Sequence, residues 1–304
     1  MNLNIYKNIK FTDYYKKLNF LSLFLILASL LVLFFQGLNF GVDFKGGTLI
    51  ELRVDKENIK ISDIRNSLLK MELGDVTVKK FGKDGDYLVK IEQSNSKPDF
   101  IESVNKKLNS DVNSNVNFRR VENVGPKVSS ELLQAGFLAI TLSLAAMLFY
   151  IWIRFEWQFS LGAIIALIHD VIITLGIFSF LSYEINLSIV AAVLTIVGYS
   201  MNDTVVIFDR VRENLKKYSQ LKIADISNLS TNETLSRTLI TSITTLLALF
   251  SIFIFGGAIL KGFSFAMIVG VIVGTYSSIF VATPILNYTK VSHKTIVKED
   301  KNTN

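Results

Sequence analysis

Three ionisable residues stand in or at the edge of apolar runs long enough to cross a bilayer: Asp170, Asp203 and Arg237. Burying such a charge in hydrocarbon costs roughly 2.5–3.5 kcal/mol on insertion scales. Residues of this kind need a partner charge, a water path or a task. The chemistry open to them is proton exchange, with a carboxylate that can be neutralised beside a guanidinium that stays charged. Asp203 lies in the stretch Gly198–Arg210, which closes the run Leu187–Phe208. Arg237 falls at a similar membrane depth, so the two are expected to pair. Asp170 lies near mid-bilayer, with His169 read as its hydrogen-bonded neighbour rather than as a ligand. The competing reading is a fixed ion pair that sets helix register, a weak source of net stability. Arg237 also suits a boundary position from which a long side chain snorkels to water.

The elements that carry these residues follow from the apolar pattern. The 304 residues are 50% hydrophobic, with 32 Lys and Arg against 26 Asp and Glu, which rules out an ordinary soluble or disordered chain. About 20 apolar residues span the hydrocarbon core. Six stretches qualify: Leu18–Gln36, Leu132–Ile153, Phe159–Leu181, Leu187–Phe208, Leu239–Ile259 and Phe263–Tyr288. The first is too long for the apolar part of a signal peptide and reads as a retained anchor. Lys7, Lys10, Lys16, Lys17, Arg154, Arg210, Arg212 and the tail lysines fall on one side, so both termini are expected in the cytoplasm. The expected division is a cytoplasmic tail over 1–17, a first span over 18–36, an outer domain with linkers over 37–131, five spans over 132–288 and a cytoplasmic tail over 289–304. The formal charge of +6 is that of cytoplasmic loops and implies no nucleic-acid partner. The chain has no Cys and only 2 His, which excludes thiolate chemistry and argues against a metal site.

The outer segment reads as a small α+β domain. Thr48–Val54, Val76–Phe81, Tyr87–Gln93 and Val116–Val121 are strand-like. Ile61, Ile64, Leu68 and Met71 lie at helical spacing, and a second helix is expected from Pro98 through Leu108. The connection Gly82–Asp86 suits a hairpin. The order βαββαβ is that of a ferredoxin-like split βαβ fold.

Polar residues recur every fourth position in the spans. Thr195, Tyr199 and Asp203, with Asn202 alongside, form one stripe. Arg237, Thr241 and Thr245, with Thr244, form another. Residues four apart share a helix face. Both stripes are expected to face the bundle interior, as supports for a proton relay or as interhelical glue. In the last span Ala266, Gly270, Gly274, Ser278 and Ala282 make a small-residue face for close packing. Arg210–Lys222 reads as a charged interfacial connector. Gly41–Thr48 misses a phosphate-binding loop, which needs Lys where Gly47 stands, and reads as a glycine-rich turn into a strand.

The stretch Gly198–Arg210 resembles the signature of the SecF family of protein-export membrane subunits, in the resistance-nodulation-division superfamily. Gly41–Thr48, Val124-Gly125-Pro126, His169-Asp170-Val171, Ser236–Leu239 with Thr244-Thr245, Phe255-Gly256-Gly257 and Gly274–Ile279 are similar to further motifs of that family, in order and spacing. The resemblance implies six spans and one outer domain, and a heterodimer with SecD beside the SecYEG channel. Accessory proteins like YajC and YidC, exported polypeptides and membrane lipid are the other partners it implies. It implies no enzyme activity and no cofactor; a proton gradient in the bacterial inner membrane would drive late steps of translocation. Carried over by motif, Asp203 is the proton-pathway aspartate and Arg237 its arginine; Asp170 is a weaker relay candidate, on its place in the apolar run alone. Rival readings are a lipid or drug exporter of the same superfamily, an intramembrane aspartyl protease and a passive scaffold. The exporter would carry about twice as many spans. The protease would need its two carboxylates nearly in contact, whereas Asp170 and Asp203 differ in depth by roughly 10 Å at 1.5 Å per helical residue.

Overall fold

A computed structural model of the chain describes residues 9–55, 59–80, 84–92 and 99–300. Pro98, the Gly82-Lys83 part of the hairpin connection and the strand ends Phe81 and Gln93 lie outside the described residues, as do the first eight residues and the last four. Helix α1 (Thr12–Gln36) is apolar on nearly all sides and buries only Tyr15, Ser22 and Ser29. It is followed by the short strand β1 (Asn39–Phe40) and the one-turn helix α2 (Val42–Lys45).

The domain expected on the outer side then runs β2 (Gly47–Val54), α3 (Ile61–Leu69), β3 (Val76–Lys80), β4 (Asp86–Ile91), α4 (Phe100–Val112) and β5 (Val116–Val124). Its sheet has the order β3-β4-β2-β5, and every neighbouring pair is antiparallel. This is the split βαβ arrangement that the strand and helix pattern implies. Alternation in β2 sends Ile50, Leu52 and Val54 into a core with Ile64, Leu68, Val104 and Leu108. The Asn-rich stretch at the end of α4 has definite roles. Asn113 takes the left-handed conformation that ends the helix, and Asn109 Oδ1 accepts the Val116 N–H at 2.7 Å. Replacing the fully buried Leu68 by alanine should cost about 2–5 kcal/mol. Limited proteolysis of the membrane-bound chain would show it as faster cleavage within the outer domain, with the spans intact.

Two one-residue joints connect this domain to the rest. Only Gly46 separates α2 from β2, and only Gly125 separates β5 from helix α5 (Pro126–Arg154). Gly47, at φ +117°, could carry no Cβ, which would stand 2.5 Å from the Ile91 carbonyl.

The membrane part continues with α6 (Trp157–Phe180), the strand β6 (Glu184–Ile185), α7 (Leu187–Lys217), α8 (Ile223–Phe255) and α9 (Gly257–Ser277). A π-helical turn, Ser278–Ala282, leads from α9 into α10 (Thr283–Tyr288), and α11 (His293–Asp300) follows. Pro284 accounts for the wide turn, since it lacks an N–H and its ring crowds the preceding carbonyls. The Thr283 hydroxyl restores one bond by donating to the Ser278 carbonyl at 2.8 Å. Helices α6, α7 and α9 form the centre of the bundle, while α1 and α5 are largely exposed on its rim. Six helices have the length and composition to cross a membrane.

Two expectations need correction. Residues Arg210–Lys217 are not a separate interfacial connector but the last turns of α7, a continuous helix of 31 residues. Only residues 218–222 join it to α8. The fifth span, expected from Leu239 with Arg237 at its edge, belongs to a longer helix: α8 begins at Ile223, well before the apolar stretch. These extensions bury Val211, Leu215 and Ile226 in the core of the bundle and are tied by ion pairs on their polar sides. Arg210 bonds Glu213 and Glu233, each at 2.7 Å, and Arg212 reaches the buried Glu156 at 2.9 Å.

Candidate functional site

The most buried intramembrane carboxylate is Asp170 on α6. Its Oδ2 accepts from Ser200 on α7 at 2.5 Å and from Ser277 on α9 at 2.8 Å. Its Oδ1 lies 2.8 Å from His169 Nδ1. Asp170 is 1% exposed and His169 is 0% exposed, so neither meets lipid or water directly. The His169 ring stacks on Tyr276, while His169 Nε2 and Thr174 Oγ1 are buried without a hydrogen-bond partner. One carboxylate thus joins the three central helices. Asp170→Asn puts an amide nitrogen either where both serines need an acceptor or beside His169 Nδ1, which must then be the unprotonated ring nitrogen. We expect it to cost about 1–3 kcal/mol of stability, read as a lower unfolding temperature in detergent.

Asp203 sits three residues further along α7, 3% exposed, in a different setting. Its Oδ2 is 3.5 Å from the Thr275 hydroxyl on α9, a long and weak contact. Thr275 is held by Ser242 on α8 at 2.7 Å. Asp203 therefore lies where α7, α8 and α9 meet, with one loosely placed donor among the described residues. Near it, Thr204 and Ser278 share a 2.9 Å hydrogen bond that joins α7 to the π turn.

The expected pairing of Asp203 with Arg237 is absent: among the described residues the Arg237 guanidinium makes no ion pair. Arg237 is exposed on the flank of α8, within electrostatic range of Asp203 but not in contact. The polar stripes also do not turn wholly inward. Thr195, Asn202 and Thr244 are exposed, and Tyr199, Thr241 and Thr245 are half-buried. Tyr199 Oη reaches Thr245 Oγ1 at 3.5 Å, which marks where the two stripes meet. The hydroxyls of Thr195, Thr241 and Thr244 bond carbonyls of their own helices. The stripes on α7 and α8 thus share one open polar flank, with Asp203 just behind it.

The small-residue face of the last span lies against α7. Ala266, Ser278 and Ala282 are fully buried. A Cβ on Gly274 would stand 2.9 Å from that of Ser200, and one on Gly270 would overlap Ile196. The residues that sequence reasoning missed are Ser200, Thr204, Ser242, Thr275 and Ser277. Their signal was a polar atom inside an apolar run. What picks them out is the neighbour each one meets.

A family model described as protein export membrane protein SecD/SecF, C-terminal, matches residues 104–292, and the SecD/SecF GG motif matches residues 31–57. Protein translocase subunit SecF of Rickettsia rickettsii is 45% identical, over 90% of this chain and 89% of its own length. The chain belongs to the SecF family of protein translocase subunits. The same name is carried by a relative from Vibrio alginolyticus, 46% identical over 91% of this chain and 88% of its own length. A crystal structure of SecDF from Thermus thermophilus, titled a translocon-associated membrane protein, matches 95% of this chain with a TM-score of 0.86 and 33% identity. SecDF in a super-membrane-facing form matches 96% of it with a TM-score of 0.68. The chain spans about 40% of the length of these SecDF structures. The SecF family thus accounts for six spans around a ferredoxin-like outer domain and for a role in protein export. The relatives are named as translocase subunits, which leaves the lipid- and drug-exporter reading without support.

Proposed function

We infer that the chain is one half of a proton-driven pair, with a SecD subunit completing the proton path. The observation that carries this is the open polar flank of α7 and α8. Arg237, Asn202, Thr195 and Thr244 are exposed at membrane depth, and lipid is a poor solvent for them. A second membrane subunit that covers the flank would meet Arg237 and enclose Asp203 from its open side. The Thermus relative supports this, since its SecDF chain is much longer than this one and carries a matching portion. Asp203 is then the group that takes and releases the proton. Arg237 is the fixed positive charge that favours its ionised form, and Asp170 is a central clamp with at most a secondary part in the relay. The pair would work beside the SecYEG channel on exported polypeptides, with YajC-like and YidC-like proteins and membrane lipid around it. No catalysis and no cofactor are assigned; the gradient is the energy source. Loop charges favour both termini in the cytoplasm of a bacterial inner membrane.

The chain lacks cysteine, so single substitutions report cleanly. Asn202→Cys or Thr244→Cys, each labelled with a thiol-reactive photo-cross-linker, should cross-link to a co-purified SecD-like subunit on illumination, and an equivalent labelled cysteine on the lipid-facing rim at Phe149 should not. Isolation of this chain as a clean monomer or a homotrimer, with no cross-link from the flank, would overturn the assignment.

A further inference from the structure

We propose that Asp43 is a positioning residue that couples the proton-bearing helix α7 to the outer domain. The Asp43 carboxylate on α2 accepts the backbone N–H of Leu187 at 2.9 Å. Leu187 is the first residue of α7. A helix start leaves four N–H groups without intrahelical partners, and its positive dipole end favours a carboxylate. Yet α7 already has a cap of its own, because Asn186 Oδ1 accepts the Ile189 N–H at 3.1 Å. The second cap comes from a segment remote in sequence. It ties two parts of the molecule together in addition to finishing a helix.

Helix α2 is well placed to pass on what α7 does. Before it, β1 pairs in parallel with β6, Asn39 with Glu184 and Phe40 with Ile185, and Gly41 N–H donates to the Ile185 carbonyl at 2.9 Å. Within it, Phe44 is buried in a cluster with Phe178, Ile189 and Ile196. After it, Gly46 leads straight into β2, a central strand of the outer sheet. Lys90 on β4 also reaches back to donate to the Phe40 carbonyl at 3.2 Å, and burial holds its ammonium below the usual lysine range. A displacement of the outer end of α7 therefore arrives at α2 through Asp43 and enters the sheet at Gly47.

This inference rests on the proton reading of Asp203, and its test separates the two. The full-length chain, paired with its SecD-like subunit, is assayed for gradient-driven proton flux and for gradient-dependent export of a reporter. Asp43→Ala should keep proton flux near the parental level while gradient-dependent export falls on the order of tenfold, within the range of coupling between distant sites. Asp43→Asn keeps an acceptor oxygen and should retain most of the export. Leu187→Pro removes the same bond from its other end. Proline suits a first helical position, and Asn186 already has the extended backbone that must precede it, at φ −123° and ψ −178°. That variant should reproduce Asp43→Ala, and the double variant should be no worse than either. Normal export in Asp43→Ala would overturn the proposal. So would a parallel loss of flux and export that Asp43→Asn fails to rescue, since that is the mark of a folding role. If Asp203→Asn, run alongside, leaves flux intact, the proton reading itself fails and the coupling with it.

Discussion

Asp203→Asn should abolish the part of export that depends on the proton gradient, at unchanged protein level. The amide keeps the size of the side chain and an acceptor for the Thr275 hydroxyl, so packing where α7, α8 and α9 meet is spared. What is lost is the ability to take a proton. One proton descending 100 mV supplies about 2.3 kcal/mol, a bias of about 50-fold between two arrangements of the bundle. The variant should export its reporter at the rate the parental protein shows after an uncoupler collapses the gradient. Adding the uncoupler to the variant should then change nothing. Asp203→Glu restores the acid on a longer stem and should recover part of the response. A gradient response of normal size in Asp203→Asn would end the relay reading and leave a packing role for the charge.

The second large effect is structural. Gly270→Leu should prevent α9 from seating on α7. Even the Cβ of an alanine at this position would overlap the side chain of Ile196, which is 1% exposed and walled in by the same cluster as Phe178 and Met267. Overpacking of this kind costs about 1–3 kcal/mol for one or two extra carbons, so Gly270→Ala should lower the unfolding temperature measurably. Leucine adds three more carbons with nowhere to go and should stop the protein accumulating in the membrane. Ile196→Ala should partly rescue Gly270→Ala by vacating the contested space. An unchanged unfolding temperature for Gly270→Ala would mean that α7 and α9 are not in the contact described.

The parts of this architecture that were legible in the sequence are those written in local pattern. Long apolar runs marked the six spans, and alternation in Ile50, Leu52 and Val54 marked a strand with one buried face. The helix ends were less legible. Arg210, Arg212 and Glu233 look like solvated surface in sequence, yet Arg210 pairs with Glu233 on α8, Arg212 pairs with Glu156 at the start of α6, and Val211, Leu215 and Ile226 between them reach the core. Periodicity grouped Thr195 with Tyr199 and Arg237 with Thr241 correctly as helix faces. It carries no information on which neighbour a face meets, so the inward orientation was misjudged and the Asp203–Arg237 pair with it. Ser200 and Ser277 converge on Asp170 from helices far apart in the chain. The two-residue ladder between β1 and β6 is too short for any pattern to announce it.

The joints at Gly46 and Gly125 limit what the outer domain can do. A Cβ on Gly46 would stand 3.3 Å from the Val124 carbonyl and 3.6 Å from the Pro126 Cα, so the two joints lie side by side. The strands that leave them are paired at once, Gly47 with Val124. A domain held this way has no slack with which to wander. Backbone torsion at the two glycines allows a rotation about the line through them, restrained by the Lys90–Phe40 hydrogen bond. Any helix movement that reaches this base is therefore converted into tilt, and the tilt is amplified with distance from the membrane.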